Sequence, residues 1–82
     1  MNYFCKNIHY IRTYYHLTQQ QMCRILGISP NTLHKIELGG GNVRLSTDML
    51  CKLCDYFQIS GDAVLDLDFQ SLQADPAAYP PL

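Results

Sequence analysis

No run of about 18 consecutive apolar residues occurs in the chain, which excludes a membrane-spanning helix. The first residues show no basic stretch followed by an apolar one, the pattern of a secretory signal peptide, so a cytoplasmic protein without membrane association is expected. In that reducing compartment the four cysteines, Cys5, Cys23, Cys51 and Cys54, read as small hydrophobes, reactive thiols or ligands and not as a disulfide framework. No nucleophile, base and acid stand out as a set, so neither catalysis nor a cofactor is expected. No internal repeat is visible. Positive charge is also scarce, with six Lys and Arg against seven Asp and Glu. That balance alone disfavours nucleic acid as a partner, because phosphate neutralisation supplies most non-specific affinity.

The total hides an asymmetry. Residues 1–45 hold Lys6, Arg12, Arg24, Lys35 and Arg44 against Glu37 alone, a net +4, whereas residues 46–82 hold Lys52 against six aspartates, a net −5. A basic binding half and an acidic rear half follow from this split. Hydrophobic residues make up 48% of the 82 positions, enough for one modest core, since so short a domain buries roughly 60% of its unfolded surface.

Apolar periodicity predicts an all-α chain of five helices. Phe4, Ile8, Ile11 and Tyr15 share one face of the first. Thr18 can cap a second over residues 19–26, and Gly27 supplies the backbone freedom for a tight turn. Ser29 can cap a third whose first position is Pro30, a site where the missing amide hydrogen costs nothing. The run Gly39, Gly40, Gly41, Asn42 marks a loop reaching to about Leu45. Ser46 or Thr47 then opens a fourth helix with Met49, Leu50, Leu53, Cys54 and Phe57 inward, and Ser60 a short fifth that buries Val64 and Leu65. Beyond Phe69 the Gln, Ala, Asp and Pro composition reads as a tail, giving a domain over 1–69 and a disordered segment over 70–82.

The segment from Thr18 to Glu37, TQQQMCRILGISPNTLHKIE, resembles the helix-turn-helix of the phage-repressor (Xre/Cro-type) family. Met22 and Cys23 stand at its leucine and alanine places, Ile28 at the aliphatic of its Gly-aliphatic-Ser turn, and Leu33 and Ile36 on the core side of its recognition helix. The likeness covers most of residues 8–65. It implies a compact bundle of the lambda-repressor-like DNA-binding type, with two helices sharing one apolar seam while the second keeps its outer face free for the major groove.

The resemblance also implies roles for residues. Pro30, Asn31 and Lys35 match places at base edges, and His34 faces the same way by pattern. Asn31 is suited to adenine, Lys35 to guanine or phosphate, and Pro30 only to apolar contact such as a thymine methyl. Gln19, Ser29, Thr32, Asn42 and Arg44 fall where phosphates are met, helped by first-turn amides of the second and third helices. Arg12 and Glu37 match a pair that bridges the first and third helices. Double-stranded DNA bound by a twofold homodimer is the implied complex, with recognition helices about 34–36 Å apart.

For the dimer surface, the apolar cluster Val64, Leu65, Leu67, Phe69 and Leu72 is the expectation, set against the plainer reading that it closes the chain's own core. Cys51 and Cys54 form a C-x-x-C and three histidines are present, yet the two cysteines sit in mid-helix and not on the turn of a zinc knuckle, so no metal site is expected. Tyr10, Tyr14 and Tyr15 follow helical spacing and read as packing, not as a base-stacking platform. Low net charge and a poorly basic loop leave an alternative, a protein-interaction module such as an antitoxin or phage regulator that holds a protein partner.

Overall fold

The computed structural model describes residues 3–39 and 45–81. Within them the chain forms helices α1 (Phe4–Tyr14), α2 (Gln19–Leu26), α3 (Pro30–Glu37), α4 (Thr47–Phe57), α5 (Gly61–Asp66) and α6 (Phe69–Leu72), followed by a 3-10 turn over Pro76–Ala78. The five helices expected from sequence are α1 to α5, and α6 is an addition. No strand forms among the described residues, and none of their helices is long and apolar enough to cross a membrane.

Local chemistry places the boundaries. Thr18 Oγ1 accepts from the Gln21 amide at 3.1 Å while the Gln21 side chain accepts from the Thr18 amide at 2.8 Å, so two first-turn donors are satisfied reciprocally. Gly27 ends α2 in the left-handed region at φ 70°, where a Cβ would crowd the following carbonyl. Ser29, Ser46 and Ser60 each accept from the amide three residues on, which starts α3, α4 and α5.

One core joins all six helices. Ile8 and Ile11 from α1, Met22 and Leu26 from α2, Leu33 and Ile36 from α3, Leu53 from α4, Val64 from α5 and Phe69 from α6 are fully buried together. Among them lies Asn7, also fully buried. Its Nδ2 donates to the carbonyls of Val64 at 2.6 Å and Leu67 at 2.7 Å, and its Oδ1 accepts from the Phe69 amide at 3.2 Å. A single amide side chain thus satisfies the backbone groups that the end of α5 and the start of α6 leave exposed to the interior.

Two expectations need correction. Residues 70–81 are not a loose tail: Ala74 and Pro76 are buried, Tyr79 stacks on Phe69 with ring centroids 5.4 Å apart, the Tyr10 hydroxyl donates to the Ala74 carbonyl at 2.6 Å, and the Ser60 amide donates to the Tyr79 carbonyl at 2.6 Å. Composition misleads here because three apolar residues spaced through a polar segment suffice to anchor it, and Pro76 presets the backbone of its own turn. Of the proposed dimer surface, Val64 and Phe69 are wholly inside the chain's own core and have nothing to offer a second copy. Leu65 and Leu67 are half-buried, and Leu72 alone is well exposed.

Candidate nucleic-acid interface

Helix α3 has two unlike sides. Leu33 and Ile36 are fully buried and face α1 and α2, while Pro30, Asn31, His34 and Lys35 are all exposed. The spacing that buries positions 33 and 36 turns 30, 31, 34 and 35 outward together. Ser29 is exposed and Thr32 half-buried, and their hydroxyls lie 2.9 Å apart in the cap of the helix. Gln19 is exposed at the first position of α2. Asn42 and Arg44 lie outside the described residues.

The first-turn amides are unevenly available. Pro30 has no amide hydrogen, and the Thr32 amide is taken by Ser29 Oγ at 3.2 Å, which leaves Asn31 as the open donor of α3. At α2 the amides of Gln19 and Gln20 are open, since the cap occupies those of Gln21 and Met22. Anion affinity from helix ends therefore lies more with α2 than with α3.

Glu37, the last residue of α3, is the fixed point of this face. Its carboxylate, with the side chain 7% exposed, receives Arg12 Nε at 2.8 Å and Nη2 at 2.8 Å, Gln19 Nε2 at 2.9 Å, and His9 through Nδ1. Arg12 also donates from Nη1 to the Leu17 carbonyl at 2.9 Å, so the turn between α1 and α2 is held by the same guanidinium. Burial pushes the Glu37 carboxyl up, but the bonds from His9, Gln19 and Arg12 and the charge of Arg12 outweigh it and hold the group below its ordinary range. The family resemblance pairs Arg12 with Glu37, as found here, but assigns Gln19 to phosphate and does not point to His9. The available signal was spacing: His9 and Arg12 are three apart on α1 and face the same way.

The basic half is less basic than its count. Lys6 is held by Asp68 at 2.7 Å and Arg12 by Glu37, while Lys52 pairs with Asp48 at 2.9 Å. Among the described residues only Arg24 and Lys35 remain as cations without an ion pair. No three His, Cys, Asp or Glu side chains gather in a metal-binding arrangement among the described residues. Burial raises the thiols of Cys5, Cys23 and Cys54, with Glu37 adding to the effect at Cys23, which keeps them protonated and poorly nucleophilic.

A family model described as helix-turn-helix matches residues 8–64. No curated protein and no solved structure gives a significant match.

Proposed function

Because the chain belongs to the Cro/C1-type helix-turn-helix family of DNA-binding regulators, we propose that it is a transcriptional repressor that reads double-stranded DNA with α3 in the major groove. The observation that supports this best is the exposed row of Pro30, Asn31, His34 and Lys35 on a helix whose opposite side is locked by Leu33, Ile36 and the Glu37 ion pair. A reading head needs both properties, free side chains and a fixed axis. Asn31 reads adenine, Lys35 meets guanine or phosphate, His34 lies beside them, and Pro30 packs against a thymine methyl. Gln19, Ser29 and Thr32 approach phosphates with the open amides of α2, and Arg24 adds charge at the flank; Asn42 and Arg44, outside the described residues, are given the same role by the family resemblance alone. Two copies occupy the two halves of a palindromic site, with Leu65, Leu67 and Leu72 as the remaining apolar surface for their contact.

Selection from random DNA at fixed salt, followed by affinity measurement on the selected site, tests this reading. Asn31→Ala should cost about 1–3 kcal/mol on that site and relax preference at one base position. With Arg24 and Lys35 as the cations without an ion pair among the described residues, the log–log salt slope per chain should be shallow, about −2. Sedimentation of the complex should report two chains per site. Failure to select any preferred sequence removes the reading. In that case the exposed Leu38, Tyr56 and Leu72, together with the internal use of Lys6 and Arg12, favour a module that binds a protein partner through the same fold.

A further inference from the structure

We infer that His9 is a positioning residue of α3, acting through Glu37, so that the fidelity of base reading responds to the protonation of a side chain on α1. The inference rests on the DNA-reading role of α3. Its basis is geometric: three donors from two neighbouring helices converge on one carboxylate at the end of α3, and of the three side-chain types present imidazole alone can exist either neutral or charged under physiological conditions.

The three donors are not equivalent. Arg12 is 17% exposed on its side chain and tied by a further bond to Leu17, so it is permanently charged and fixed. Gln19 is neutral and takes the second carboxylate oxygen. His9 shares Oε1 with Arg12 and is half exposed on its side chain, so a proton from solvent reaches it without disturbing the core. A neutral imidazole holds the carboxylate by one hydrogen bond alone, whereas an imidazolium adds charge attraction to it. The stronger contact draws the end of α3 toward α1 and restrains the helix along its axis. Asn31 is six residues from Glu37, and Lys35 only two, so a change in tilt moves both against the base edges.

The other charged and titratable groups near this carboxylate do not reproduce the effect. Arg12 stays cationic throughout. Lys6, one turn earlier on α1, is engaged by Asp68. Cys23 on α2 faces Glu37 from inside the core and stays protonated. Glu37 itself is held below its ordinary range, so it remains ionised at any pH where a histidine titrates. On α3, Lys35 and His34 are exposed on the outer side, away from the Glu37 carboxylate's donors, and both are present in every comparison below.

The test compares wild type with His9→Gln, which keeps a neutral donor, and His9→Phe, which keeps a ring and removes the donor. For each, the ratio of affinity for the selected site over random DNA is measured at pH 8 and pH 5.5. A structural role would lower stability without moving this ratio. The expected result is a wild-type ratio that rises several-fold toward pH 5.5 relative to that of His9→Gln, and a ratio in His9→Phe that is about three- to tenfold lower than in His9→Gln, the range for one partly exposed hydrogen bond to a charge. Equal ratios in all three chains overturn the inference while leaving the DNA-reading role intact. A second measurement needs no DNA. In wild type, the backbone amide resonances of residues 33–38 should shift between pH 8 and pH 5.5 by a component that vanishes in His9→Gln; an α3 whose shifts are the same in both chains refutes the coupling whether or not the protein reads DNA.

Discussion

Asn7→Asp changes one atom of a buried side chain and reverses its chemistry. The amide nitrogen that donates to the Val64 and Leu67 carbonyls becomes an oxygen, 2.6 and 2.7 Å from two other oxygens, while the bond from the Phe69 amide is kept. The buried Val64 carbonyl and the part-buried Leu67 carbonyl lose their partner, at about 1–3 kcal/mol each. Placing a carboxylate among them adds a desolvation and repulsion cost that is capped because the group takes up a proton instead. A total of roughly 4 kcal/mol at pH 7.5 follows, against a whole-chain stability of roughly 4–12 kcal/mol for a domain of this length. The melting temperature should fall by about 15–30 °C. Here the folded pKa is raised above the unfolded value of about 3.9, so the penalty is complete above the folded pKa and shrinks as pH falls toward 3.9. At pH 4.5 a protonated carboxyl can donate one bond, and the difference from wild type at the same pH should narrow to roughly 1–2 kcal/mol. Urea unfolding followed by far-UV circular dichroism at both pH values measures this. A variant as stable as wild type at pH 7.5, or a difference that does not change with pH, would refute the account of Asn7 as the clamp between α5 and α6.

Two further outcomes follow from local geometry. Gly27→Ala forces a Cβ into a backbone at φ 70°, at about 1–2 kcal/mol less an entropic gain of about 0.4–1. The Cβ would lie 2.7 Å from Lys52 Nζ, the far end of a flexible side chain, so Gly27→Ala/Lys52→Ala should recover little of the lost stability in a thermal melt. Acid unfolding of wild type should begin with its two depressed carboxyls. Glu37 is lowered by its donors against the effect of burial, and Asp68 by hydrogen bonds from Lys6 and Ser71. A depressed folded pKa contributes stability that is present above the unfolded value and lost as pH falls through the folded one. Stability should therefore decline below about pH 4.3, and Glu37→Gln should be less stable at pH 7 yet show a smaller decline in the same titration.

What the sequence made legible was local. Thr18, Gly27, Ser29 and Ser60 announce helix ends through bonds to residues two to four positions away, and each sits where its chemistry requires. The seam of Met22, Cys23, Leu26, Ile28, Leu33 and Ile36 was readable for the same reason, although Ile28 is only half-buried while the other five are buried. Asn7 was not, because its three partners lie 57 to 62 residues on, and nothing in the neighbourhood of position 7 indicates an interior amide. Position alone also could not show that Val64 and Phe69 face inward, since an apolar cluster late in a short chain fits a core and an interface equally well. Segment 70–81 was misjudged by composition, which averages over the Ala74, Pro76 and Tyr79 anchors. On α3, the sequence separated exposed from buried positions, while the convergence of His9, Arg12 and Gln19 on Glu37 depends on how three helices cross.

The long reach of Asn7 also bears on the order in which the molecule can assemble. During synthesis at about 5–20 residues per second, α1 waits several seconds for the carbonyls of Val64 and Leu67 to exist. Helices α2 and α3, by contrast, share a seam whose residues lie within 15 positions of one another, Met22 to Ile36. Arg12 and Glu37 are 25 residues apart, less than half the separation between Asn7 and its partners. Contacts among α1, α2 and α3 are thus short in sequence, whereas the closing of α5 and α6 on Asn7 is the long-range step of folding.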